Sequence, residues 1–217
     1  MTVVQGGADG QVGPSGVTRP GVQASRPPAT LFTWQGVDEP RLESVRVLLS
    51  ESRLRASGRL IAAGKGADEA YSASFELSTD EVGVFSRLLL RTTTADEERQ
   101  VSLSRTEDEV WLVDHGTGAE RDEFDGACDV DVLGAVLFNT LPVRRLGLHR
   151  EPGTHDLPMV YVHLPDLSVT LSRQTYRTVS VHGDGAVVNY ASDGFTADLA
   201  VDTEGFVVDY PGLARRL

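Results

Sequence analysis

Apolar and polar side chains alternate one by one along much of this chain from Leu31 onward, and that period leaves few folds open. Successive side chains of a strand point to opposite faces, so a two-residue repeat marks strands with one face buried and the other wet. Tyr71, Ala73, Phe75 and Leu77 alternate with Ser72, Ser74, Glu76 and Ser78, and Leu54, Ala56, Gly58, Leu60 and Ala62 with Arg53, Arg55, Ser57, Arg59 and Ile61. Val45, Val47 and Leu49 form an earlier ladder. The same pattern predicts strands over 82–92, 100–105, 109–114, 159–164, 167–173, 176–182, 186–191, 194–201 and 205–209. Gly183 and Gly185 around Asp184, Asp193-Gly194, and Gly205 after Asp202-Thr203-Glu204 supply tight turns, and strands joined so closely must run antiparallel. No section alternates strands with long amphipathic helices, which argues against a parallel doubly wound sheet. In 128–141 apolar residues crowd too densely for alternation, and a short helix or fully buried segment is expected there. The fold class is therefore all-β or nearly so, with one or two short helical segments. Alternation alone leaves a sandwich and a single curled sheet both open.

Composition divides the chain. Residues 1–29 are rich in Gly, Pro and Ser, carry no apolar run, and cannot bury enough surface to offset their ordering entropy, so they are expected to be a flexible tail. Residues 30–217 are expected to form one domain. No basic n-region followed by an apolar h-region opens the sequence, and no stretch approaches the roughly 20 apolar residues of a membrane-spanning helix, so a cytoplasmic location is expected. The 32 acidic and 20 basic residues leave a net charge of −12, which offers no basic footprint to nucleic acid. One cysteine, Cys128, excludes an internal disulfide and a multi-cysteine zinc site, and the five histidines show no metal-binding spacing. No cofactor or metal is expected.

Three stretches are too particular for ordinary strand sequence: Asp129 to Leu146, Tyr161 to Arg177 and Gly205 to Leu217. With Trp34, Gly36, Glu43 and the strand of Trp111, their order and spacing resemble the bacterial family known as putative glycolipid-binding proteins, over about residues 31–217. The most specific pieces are Asn139-Thr140-Leu141-Pro142 followed by Arg144-Arg145-Leu146, and Val208-Asp209-Tyr210-Pro211-Gly212-Leu213. One departure is Val136-Leu137-Phe138, which stands where the family tends to carry a proline before the asparagine. The resemblance implies a single large curled or rolled antiparallel sheet, half-barrel to spiral roll, like that of bacterial lipoprotein carriers, with a concave apolar interior for a lipid. It supplies no site residues, so each candidate below is read from its chemistry.

Arg144 and Arg145 follow a proline and present planar donors suited to a phosphate, a sulfate or sugar hydroxyls, with Asn139 adding an amide. Asp129 and Asp131 are near enough in sequence to pair with them, so an internal Arg–Asp anchor is the competing reading. Gln174 and Tyr176 share one face of a strand and orient a headgroup if that face lines a cavity. Trp111 is a core anchor or, in an open cavity, a platform for a sugar ring. The leading reading is a non-enzymatic binder of an amphipathic ligand, with Asn139, Arg144, Arg145, Gln174, Tyr176 and Trp111 as ligand-binding candidates. Two alternatives remain: an enzyme for a small sugar or phosphorylated compound using Asp129, Asp131 and Asp209, and a cytoplasmic protein-interaction module whose acidic loops dock a partner.

Overall fold

The computed structural model describes residues 1–3, 6, 29–64 and 69–217. The tail expected over 1–29 falls mostly outside them, and Ala29 already belongs to the first strand. The alternating segments become β1 (Ala29–Gly36), β2 (Arg41–Ser50), β3 (Arg53–Ala62), β4 (Tyr71–Thr79), β5 (Phe85–Thr93), β6 (Glu98–Arg105), β7 (Trp111–Asp114) and β8 (Ala119–Asp122). The second half supplies β9 (Asp129–Val132), β10 (Thr154–Val162), β11 (Val169–His182), β12 (Gly185–Ser192), β13 (Phe195–Asp202), β14 (Val207–Tyr210) and β15 (Ala214–Arg216). All fifteen lie in one sheet, ordered β8-β7-β6-β5-β4-β3-β2-β1-β15-β14-β13-β12-β11-β10-β9. The first eight strands form one continuous meander and β10 to β15 another, with β9 added at the edge of the second. The two meet at the centre, where Trp34 faces Arg216 and Gly36 faces Ala214. Every pairing is antiparallel except that of β9 with β10.

One face of each long strand is dry. In β3 Leu54, Ala56 and Leu60 are buried while Arg55, Ser57 and Arg59 are exposed, as the sequence pattern requires. These buried faces line the concave side of the curled sheet, and the non-alternating segment fills much of that space. It departs from expectation by splitting in two. Asp129 to Val132 are strand β9, buried at every position because this edge strand tucks inside the curl. A 3₁₀ turn at Val136–Asn139 then runs into α1 (Thr140–Arg145), and Val136 to Val143 are all buried. This plug stands inside the sheet as a core stands inside a shell. Phe138 packs on Phe75 of β4 with ring centroids 5.1 Å apart, and Phe75 fits because Gly58 opposite it has no side chain: a Cβ there would lie 2.3 Å from the ring.

Contacts across the concavity hold the curl. The Trp111 indole N–H donates to the Ala127 carbonyl at 3.0 Å, the Phe85 amide to the Cys128 carbonyl at 3.0 Å, and the Thr92 hydroxyl to the Pro165 carbonyl at 2.8 Å. Four further differences from the predicted strands remain. β1, β8 and β15 are not among the expected strands, and β11 runs unbroken through 174–175: β8 is exposed at every position and β1 over its first three, β15 has only three residues, and the buried polar Gln174 hides the two-residue period.

Candidate functional site

A cavity of about 720 Å³ remains between the plug and the second half of the sheet. The polar wall includes Asp131 and Asn139, and it is backed by a network of residues outside the lining that grows from strand parity. Gln174 and Tyr176 sit two apart on β11 and both face inward, as i, i+2 positions must; they are 1% and 0% exposed. Asp131 on β9 lies beside Tyr161 of β10 in the parallel register, and Tyr176 opposes Tyr190 of β12. Tyr210 of β14 completes the aromatic wall, its ring 6.2 Å from that of Tyr190.

These groups form a directed chain of hydrogen bonds. The Asn139 amide Nδ2 donates to the Tyr176 hydroxyl at 2.9 Å, that hydroxyl to Gln174 Oε1 at 3.1 Å, and Gln174 Nε2 to Asp131 Oδ2 at 2.8 Å. The Val132 amide donates to Asp131 Oδ1 at 2.8 Å. Every donor points toward the carboxylate, so each bond polarises the next and the negative charge is the sink of the network. Burial raises the Asp131 carboxyl to about 6, against the pull of Gln174 and Val132. Burial also pushes the phenols of Tyr161, Tyr176, Tyr190 and Tyr210 up, and the nearby Asp131 charge adds to it. At neutral pH the cavity therefore holds a carboxylate among protonated tyrosines.

Opposite this wall stands Arg41 at the start of β2, with its Nε buried and unpartnered and Nη2 3.5 Å from the Tyr71 hydroxyl. Its guanidinium lies flat on Gly134, whose φ of +72° suits glycine and where a Cβ would come within 2.3 Å of Nη2. Around the mouth are Leu133 and Phe195, 41% and 47% exposed, with Leu164 and Leu213 deeper in the lining. The site thus has a polar floor, and its mouth mixes the apolar Leu133 and Phe195 with the exposed carboxylates Asp38, Glu39 and Glu69. Just behind it, Glu43 of β2 is 2% exposed and accepts the amides of Val136 at 2.6 Å and Leu137 at 3.3 Å. Burial outweighs these bonds and raises its carboxyl to about 7.

The sequence candidates separate into three places. Asn139, Gln174 and Tyr176 come together in the network. Arg144 and Arg145, on α1, line a second and smaller cavity instead. Arg145 binds Asp129 Oδ2 through Nε at 3.0 Å and Nη2 at 2.5 Å, an internal anchor of the kind weighed against a ligand role. Trp111 is fully buried against Phe85, with centroids 4.5 Å apart, and is not among the residues lining the large cavity. The three aspartates of the enzymatic alternative do not converge: Asp129 goes to Arg145, Asp131 to the cavity, and Asp209 to the exposed Arg215 at 2.8 Å. Among the described residues no group of three His, Cys, Asp or Glu gathers as a metal site. Sequence reasoning passed over Arg41 and did not assign Glu43 a place in the site. A signal existed for Glu43, a carboxylate in phase with the buried Val45 and Val47.

Comparison with known proteins agrees with this architecture. The family model described as "Putative glycolipid-binding" matches residues 31–216. A solved structure of a DUF1089 family protein from Pseudomonas aeruginosa superposes with a TM-score of 0.64 at 24% identity, covering 94% of this chain and 100% of that one, which speaks for the fold. No curated protein matches the chain.

Proposed function

The chain belongs to the "Putative glycolipid-binding" family, and from that premise we propose that it binds an amphipathic molecule with a neutral, hydroxyl-rich head in the large cavity. The observation that carries this reading is one cavity that joins a polar floor, Asp131 and Asn139 among tyrosines, to the exposed apolar side chains of Leu133 and Phe195 at its mouth. Its volume of about 720 Å³ falls within the usual range of small-ligand sites, roughly 300–1,000 Å³. The Asp131 carboxylate is a strong acceptor for sugar hydroxyls, the Asn139 amide and the tyrosine hydroxyls complement both lone pairs and protons, and the tyrosine rings stack against a pyranose face. Leu133 and Phe195 at the mouth offer an apolar path on which a hydrocarbon tail lies as it leaves the cavity. Gln174 and Tyr176 act by holding Asp131 and Asn139 in place.

Charge narrows the head further. Asp38, Glu39, Glu69 and Asp131 line the cavity together with Arg41, an excess of carboxylates that disfavours an anionic headgroup and admits a neutral one. The test is native mass spectrometry of gently purified protein, followed by titration with a neutral alkyl glucoside. Lipid adducts removed by organic extraction are expected, as is saturable glucoside binding that Asp131→Asn weakens by about tenfold, the worth of one charge-assisted hydrogen bond. A mass unchanged by bacterial lipid extract and by the glucoside overturns the proposal.

A further inference from the structure

The second cavity, of about 320 Å³, shares no lining residue with the first and carries the opposite charge. In a chain of net charge −12, Arg144, Arg145, Arg150 and His149 line it with Glu51 and Ser52 across from them. Each basic group is differently placed. Arg145 is neutralised by Asp129. Arg144 donates through Nη1 to the Glu204 carbonyl and lies over the Phe206 ring, 5.2 Å from its centroid, which fixes its plane and leaves other N–H groups unspent. Arg150 makes no ion pair or side-chain hydrogen bond among the described residues. His149 is 5% exposed; its Nδ1 is 3.3 Å from the Val143 carbonyl, so Nδ1 carries the proton, and its Nε2 is buried with no partner.

An unpartnered ring nitrogen, nine-tenths buried beside two guanidiniums that make no ion pair among the described residues, is costly unless something completes it. Burial, and then the charges of Arg150 and Arg144 working against Asp202, hold the His149 ring below its ordinary range. We propose that this cavity is an oxyanion site that takes the phosphate group of a small compound, with Arg144 and Arg150 donating to its oxygens and His149, which takes up a proton at Nε2 as the anion binds, donating to a third. A tetrahedral oxyanion satisfies donors arriving from three directions, which a planar carboxylate does not, and forked guanidinium donors match phosphate oxygens. The volume stands at the small end of ligand cavities, which points to a phosphate monoester of modest size. The site is independent of the alkyl-chain cavity, and either can fail without the other.

The experiment titrates the full chain with inorganic phosphate by calorimetry and by NMR of the histidine rings. Saturable binding is expected, with the His149 resonance titrating at higher pH once phosphate is bound, because an anion beside Nε2 favours the imidazolium. The charges that act on His149 are those of Arg150, Arg144 and Asp202, with Glu51 and the Asp129-paired Arg145 lining the same cavity and Glu204 beside Arg144. Arg150→Gln, at an exposed position with no ion pair or side-chain hydrogen bond among the described residues, is expected to weaken phosphate by roughly tenfold or more without changing the melting temperature of the free protein. Arg59→Gln on the outer face of β3 serves as the charge control and leaves affinity unchanged. A parallel arm uses vesicles containing phosphatidic acid: retention that Arg150→Gln abolishes, with no response to free phosphate, assigns the phosphate to a lipid head, whereas the reverse assigns it to a soluble compound. No saturable binding in either arm, or binding indifferent to both Arg150→Gln and Arg144→Gln, overturns the proposal.

Discussion

Tyr176 is the middle of a chain in which every link has one task, and this makes it the most informative single atom to remove. Tyr176→Phe keeps the ring against Tyr190, 5.3 Å away, and deletes only the hydroxyl. Asn139 then loses an acceptor and Gln174 a donor in a dry site, so a loss of about 1–3 kcal/mol is expected in urea unfolding. Arg145 poses the converse case. Its side chain is 16% exposed and that of Asp129 1%, so Arg145→Met strands a buried carboxylate; a loss of about 3–5 kcal/mol is expected, much of it recovered in the double variant with Asp129→Asn. The two cases differ in how readable they were. The shared face of Gln174 and Tyr176 follows from a two-residue spacing, whereas their partners Asp131 and Asn139 lie 43 and 37 residues away and are brought in only by the curl. Arg144 and Arg145 are adjacent in sequence yet have separate partners, Glu204 and Asp129, because neighbours on a helix point about 100° apart.

At the level of elements, the plug is held by the sheet through one carboxylate. Glu43 grips the first two amides of the 3₁₀ turn, which the Ala135 cap leaves without a side-chain partner. Its carboxyl titrates near 7 in the fold against 4.5 when unfolded, so the native state holds the proton more tightly. The sign follows: this contribution to stability is fully present below about 4.5 and is lost as pH rises through 7, with Asp131 acting in the same direction between 3.8 and about 6. The unfolding free energy measured in urea is therefore expected to fall between pH 5 and pH 8, by on the order of 3 kcal/mol from Glu43 alone, and Glu43→Gln to flatten that slope. Gly134→Ala tests the other attachment, since its Cβ would displace the Arg41 guanidinium; lower stability and weaker binding of the alkyl glucoside are expected together. The break in alternation over 128–141 revealed that something other than a wet strand lay there. That it would divide into an inner strand and a plug was not readable, because both are apolar throughout and a two-residue period exists only where one face is wet.

Across the whole molecule, the sheet is legible as a set of strands and illegible as an order. Hairpin turns announce neighbours within each meander, but nothing local announces that β1 pairs with β15. That seam is sealed from both sides: Trp34 Nε1 donates to the Val207 carbonyl at 2.9 Å, and the Leu217 amide to the Thr33 carbonyl at 2.9 Å. Ending the chain after Gly212 removes β15 and unpairs the centre of the sheet; loss of cooperative unfolding and of amide protection in both β1 and β14 is expected in hydrogen exchange, rather than fraying at one end.

The Trp34–Val207 bond also sets an order of events during synthesis. Its two ends are separated by 173 residues, so the first meander emerges from the ribosome long before the strand that must cover its inner edge exists. Throughout that interval β1 presents unpaired backbone groups beside an uncovered indole, an invitation to pair with another nascent chain. The sheet can close at its centre only once β14 and β15 have been made, and the yield in a cell depends on how well that one open flank is shielded until then.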